Sequence, residues 1–74
     1  MLIILNWLII ELEGFEKASN ITFFDIYENV FNEFIINRSK DQQTVDISVL
    51  FEGFYIFEIK IEANKSVFEK FLVL

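Results

Sequence analysis

The side chains in this sequence with acid–base or ligating capacity are almost all carboxylates. Twelve Asp and Glu stand against six Lys and Arg, and neither His nor Cys occurs. Imidazole general-base and thiolate-nucleophile chemistry are therefore excluded. A structural zinc site is left with carboxylate ligands alone, which do not build one. Two glycines in 74 residues make neither a phosphate-cradling loop nor a nucleophile elbow. Carboxylates by themselves can bind Mg²⁺ or work as an acid and base pair. The pair best placed for this is Asp46 with Glu58, expected directly opposite each other on adjacent strands. Like charges so placed repel, with Lys60 on the diagonal as partial compensation. Together with Glu62 they read as a patch that meets a basic residue on another protein. The expectation is binding without catalysis: no enzyme, no metal, no cofactor.

The elements that would position these residues follow from hydrophobic periodicity. Residues 2–12 read as a strand, with Leu8, Ile10 and Leu12 on one face and Ile9, Glu11 and Glu13 on the other. Its first half is apolar on both faces, which requires cover on both. Residues 22–37 place Phe23, Phe24, Ile26, Tyr27, Val30, Phe31, Phe34 and Ile35 on one half of a helical wheel. Helix propensity there is poor, but the periodicity predicts a helix, capped by Ser19 or Asn20, with Asp25 near the positive end of its dipole. Residues 38–43 read as a polar loop. Val45, Ile47 and Val49 then alternate, as do Tyr55, Phe57, Ile59 and Ile61. A three-residue turn, Phe51-Glu52-Gly53, brings those two faces together by pairing Leu50 with Phe54, and Gly53 supplies the positive φ that such a turn needs. The last strand, 67–74, pairs Phe68 with Ile61 and Leu72 with Phe57 through a four-residue turn, 63–66, and sets Lys60 against Glu69.

The resulting expectation is an α+β domain spanning residues 1–74, of order β-α-β-β-β, one mainly antiparallel sheet with a single helix packed on one face. The alternative is a duplicated ββα unit, suggested by the echo of Leu12-Glu13-Gly14-Phe15 in Phe51-Glu52-Gly53-Phe54. One helix covers one face of such a sheet. The other face would carry Ile3, Leu5, Trp7 and Ile9 with Leu50, Phe54 and Ile56, an apolar patch rarely left bare. Trp7 is the natural anchor of an interface there, and a twofold homodimer is the commonest way to cover such a patch.

A net charge of −6 repels nucleic acid and favours a basic protein partner. The apolar run 1–10 is shorter than the roughly 20 residues that span a bilayer, and it lacks the basic lead and cleavage site of a signal peptide. The location expected is cytoplasmic, with no membrane role. The function expected is an acidic inhibitor of the immunity or phage anti-defence (anti-CRISPR-like) type. It would occlude a basic protein using Trp7, Asp46, Phe54, Ile56, Glu58 and Glu62. The alternative is a structural homo-oligomer or a small subunit of a larger assembly.

Overall fold

A computed structural model describes residues 2–4, by their backbone, and residues 6–36 and 41–74 in full. The described residues contain seven strands and no helix: β1 (Leu2–Ile4), β2 (Trp7–Glu11), β3 (Asn20–Asp25), β4 (Val30–Ile35), β5 (Gln42–Asp46), β6 (Gly53–Glu62) and β7 (Lys65–Val73). They form two sheets. The larger has the order β1-β7-β6-β3-β4, antiparallel except for the β1 edge, which runs parallel to β7. The smaller is the antiparallel pair β2-β5, whose ladder is prolonged by bonds from Ile47 N to Asn6 O and from Leu12 N to Asp41 O.

One core joins the two sheets. Leu8, Ile10 and Leu12 from the β2 segment and Val45 and Ile47 from the β5 segment cluster with Ile21, Phe23, Phe57, Ile59, Phe71 and Val73 of the larger sheet. This is a two-layer sandwich in which β2, β6 and β7 bury alternate residues. Phe23 sits at its centre, fully buried, with ring centroids of Phe31, Phe34, Phe57 and Phe71 between 5.8 and 6.1 Å away.

The α+β expectation is thus corrected to an all-β fold, and the helix of 22–37 is the decisive change. Ile21 and Phe23 point into the core, and the chain then reverses through residues 26–29 into β4. Asp25 makes that reversal: its Oδ1 accepts from the backbone N–H of both Tyr27 and Asn29 at 2.9 Å, and its Oδ2 accepts from Asn29 Nδ2 at 3.1 Å. Glu28 adopts a left-handed φ of 68° to close the turn. The aromatic and β-branched residues that weaken a helix here are those that suit a half-buried strand. The helical half-circle arose because a bulge at Phe31 adds one residue to β4: Phe23 pairs with Asn32 and Phe24 with Val30. That extra residue breaks the strict alternation by which a strand is recognised.

The expected β5–β6 hairpin does not form. The two strands lie in different sheets, and residues 47–52 carry the chain from one layer to the other, with Leu50 N bonded to Ile47 O. Gly53 has the positive φ expected of it, at 142°, but as the first residue of β6 and not as a hairpin corner. The final strand exists in a register three residues away from the expected one. Phe57 pairs with Glu69 and Leu72 with Phe54. An odd slip exchanges the faces of a strand, so Phe71 and Val73 are buried while Phe68 lies exposed. The cause is a two-residue turn, Ala63-Asn64, between the paired Glu62 and Lys65, with Ile61 as an extra residue in the ladder. Neither turn residue has positive φ, so the turn lacks the twist that suits a regular hairpin and the bulge takes up the mismatch. With the tail a strand and no helix among the described residues, the duplicated ββα alternative falls as well. The polar loop expected over 38–43 shrinks, because Gln42 and Gln43 belong to β5; its residues 38–40 lie outside the described residues.

Candidate recognition surface

The sandwich has two outer faces, and it divides the predicted contact residues between them. Trp7 and Asp46 come together as a cross-strand pair of the small sheet. Trp7 is 59% exposed, with Ile9 exposed on the same strand. Phe54, Ile56 and Glu58 belong to β6, on the outer face of the larger sheet. The apolar patch foreseen from Trp7 to Phe54 and Ile56 is therefore two patches on opposite sides of the molecule. Leu50 packs against the core instead; the side chain of Ile3, and Leu5, lie outside the described residues. Asp46 and Glu58 are not neighbours, and no carboxylate pair of the expected kind exists. Asp46 is occupied locally: its Oδ1 accepts from the Ser48 hydroxyl at 2.6 Å and from the Ser48 backbone N–H at 2.9 Å. These bonds hold its carboxyl below the usual value of 3.8. Glu62 stands apart from both, at the end of β6, with Oε1 3.8 Å from Lys17 Nζ and both side chains largely exposed. Such a pair contributes less than about 1 kcal/mol.

The outer face of the larger sheet can be built row by row from its register. Val30, Phe24, Ile56 and Lys70 form one row; Glu33, Thr22, Glu58 and Phe68 form the next. Phe54 and Leu72 continue the face on one side, and Ile35, Asn20, Lys60 and Ser66 on the other. Lys70, an exposed residue, has its Nζ 4.5 Å from the centroid of the Phe54 ring, a cation–π contact. Glu33 is tied down by Asn20 Nδ2 at 2.8 Å and by the Thr22 hydroxyl at 2.9 Å, both on its Oε2. Between these fixed groups is an open dent of about 220 Å³ lined by Phe24, Glu28, Ile56 and Phe68. The carboxylates of Glu28 and of neighbouring Glu58 accept no hydrogen bond and make no ion pair among the described residues. Sequence reasoning found Ile56 and Glu58, missed Glu28 and Phe68, and offered Phe24 only on the apolar arc of a helix that does not form. Phe24 and Phe68 come into view only when 20–25 is read as a strand and the last strand is set in its true register.

A second depression, of about 470 Å³, is lined by Gly14, Phe15, Glu16, Lys17, Ile61, Glu62 and Lys65. Its two lysines and two glutamates cancel, which leaves no charge to select a ligand. No cluster of three or more potential metal-ligating side chains occurs among the described residues, nor any buried side-chain polar atom without a partner. No helix is long and apolar enough to cross a membrane.

Fold and surface together define a β-sandwich whose distinctive chemistry lies on its outer faces and not in a cavity. Residues 5–74 match the model of one protein family, the secretion system C-terminal sorting domain, and the chain belongs to that family. No curated protein and no solved structure shows a significant match. The family overturns two expectations. An acidic inhibitor of the immunity or phage anti-defence type was inferred from composition and charge, and composition constrains function weakly because many unrelated folds share it. The cytoplasmic location fails too, because this domain marks proteins exported through the type IX secretion system.

Proposed function

We propose that this chain is the sorting tail of an exported protein, a non-catalytic module that the secretion machinery recognises by its folded surface. The observation that carries this reading is the extent of the family match. Residues 5–74 take in β2 to β7 and so both layers of the sandwich, which makes the signal coextensive with a folded domain rather than a short linear peptide. The absence of His and Cys from the sequence supports a role without covalent or acid–base chemistry. The test is a secreted-reporter assay in a bacterium that carries the system. The reporter joined to this chain is expected outside the cell, and to stay inside when the chain is omitted or the system is inactivated. A core-disrupted tail, Phe23→Asp, is expected to fail as completely as no tail. Retention of the wild-type fusion inside the cell would refute the sorting role, and full export of the Phe23→Asp fusion would show that a linear segment suffices.

A further inference from the structure

The strand register sorts the connections of the sandwich between its two ends. Asp25 pairs with Tyr55 and Val73 with Gly53, so the turn 26–29 and the crossing segment 47–52 share one end. Tyr55 ties them together, since it pairs with Asp25 and its hydroxyl donates to Phe51 O at 2.8 Å. Trp7, paired with Asp46 where the crossing segment begins, stands at the same end. Asn20 pairs with Lys60 and Glu62 with Lys65, so the connections 12–19 and 63–64 lie at the other. Large apolar side chains are divided unequally between these ends. At the first, Ile26 and Tyr27 on one connection and Val49 and Phe51 on the other are all more than half exposed, Phe51 at 88%. At the second, among the described residues, no connection carries an exposed large apolar side chain; Glu13, Glu16, Lys17 and Asn64 are exposed there instead.

We infer that this end of the sandwich enters the surface of a bilayer rich in phosphatidylethanolamine, with Ile26, Val49 and Phe51 among the upper acyl chains and Tyr27 and Trp7 at headgroup level. Exposed apolar groups gathered in one place mark contact with a protein or a membrane, and three features select the membrane. The four side chains stand on two separate connections beyond the strand ends, and a fluid bilayer accepts separate protrusions where a protein interface needs a shaped, continuous patch. Tyr27 and Trp7 each join an apolar ring to a polar group, the combination enriched at the membrane–water boundary. The charges then select the lipid. The two connections hold exposed Glu28 and Glu52 and neither Lys nor Arg, which complements the ammonium of an ethanolamine headgroup and is repelled by the negative potential of anionic lipid. The expectation of no membrane role rested on an apolar run too short to span a bilayer; groups that enter only the interface need no span. This contact does not rest on the sorting-tail reading.

The experiment mixes the 74-residue chain with vesicles of phosphatidylethanolamine and phosphatidylcholine. Binding is read by co-flotation and by the emission of Trp7, the one tryptophan of the sequence. Saturable binding with a blue-shifted emission is expected. Phe51→Ser should weaken it about tenfold, as loss of one large apolar side chain from a buried position does. Ile35→Ser removes an equally exposed apolar group at the opposite end and should leave binding unchanged. Both are surface changes that keep the melting temperature. Exchanging phosphatidylethanolamine for phosphatidylglycerol should weaken binding, and Glu28→Gln/Glu52→Gln should lessen that penalty. Absence of binding to the first vesicles, an equal loss in Ile35→Ser, or tighter binding to phosphatidylglycerol overturns the inference. So does a dimer, seen by light scattering without lipid, that Phe51→Ser dissociates, because the apolar end would then be a contact between copies. Vesicle binding is measured on the purified chain and export on the reporter fusion, so failure of the lipid contact and failure of the sorting role are read separately.

Discussion

Asp25 acts as a local organiser of backbone donors, and its charge is what makes those bonds strong. The hydrogen bond from the Asn29 backbone is the largest cause holding its carboxyl below the usual 3.8; desolvation opposes it, and the Asn29 side chain and the Tyr27 backbone add lesser contributions in the downward direction. A carboxyl with a depressed folded-state value contributes stability above its unfolded value, and loses it as pH falls through the folded one. Asp25→Ala is therefore expected to melt below wild type at pH 7, with the gap closing as pH drops beneath 3.8; a gap that stays constant in melts from pH 7 to pH 2 would contradict this. Asp46 is held in the same manner by Ser48. Phe23 is the residue on which packing converges. Phe23→Ala should cost about 3–5 kcal/mol, a large fraction of the 5–15 kcal/mol that stabilises a typical domain, and urea unfolding measures it. At this scale the sequence revealed residue types but not pairings. Asp46 is an exposed carboxylate and Glu58 a half-buried one, and their expected proximity depended on a hairpin that does not exist.

Among the elements, β6 is the hub, because it alone pairs along its length with both β3 and β7. Its amides, those of Phe57 and Ile59 in particular, should exchange with solvent more slowly than those of the edge strand β4, since interior ladders open only in larger unfolding events. Exchange measured residue by residue checks this, and faster exchange in β6 than in β4 would be incompatible with the strand order. Gly53→Ala tests the entry to β6: a φ of 142° suits glycine alone, and although the added methyl would meet open space, backbone strain should cost about 1–3 kcal/mol. Of the alternating faces expected, Leu8, Ile10 and Leu12, Val45 and Ile47, and Phe57 and Ile59 are buried, whereas Tyr55 and Ile61 are half-buried and Val49 is exposed. The β3–β4 hairpin was not legible in advance, because a bulge at Phe31 shifts the apolar phase by one residue and imitates helical spacing.

For the molecule as a whole, β4 is one edge of the larger sheet, and its Ile35 is 87% exposed. A bulged edge with one charged residue, Glu33, limits pairing with other chains. Ile35→Lys should strengthen that protection, lowering light scattering at high concentration while leaving the melting temperature within experimental error, as surface changes usually do. An unchanged scattering profile would mean that association, where it occurs, uses another surface.

Taken alone, the sequence determined which side-chain chemistries this protein lacks and marked part of its core. Without His or Cys it has no thiol or imidazole chemistry, and its period-two runs marked core positions because burial of one face is a local demand on each strand. Tertiary structure alone decided which strands meet. Pairing between distant segments depends on turn geometry and on a register in which one residue's slip reverses every side chain, so the short turn at Ala63-Asn64 with its bulge set Phe68 on the outer face of the larger sheet, and the pairing of β2 with β5 in a sheet of their own carried Trp7 to the opposite face.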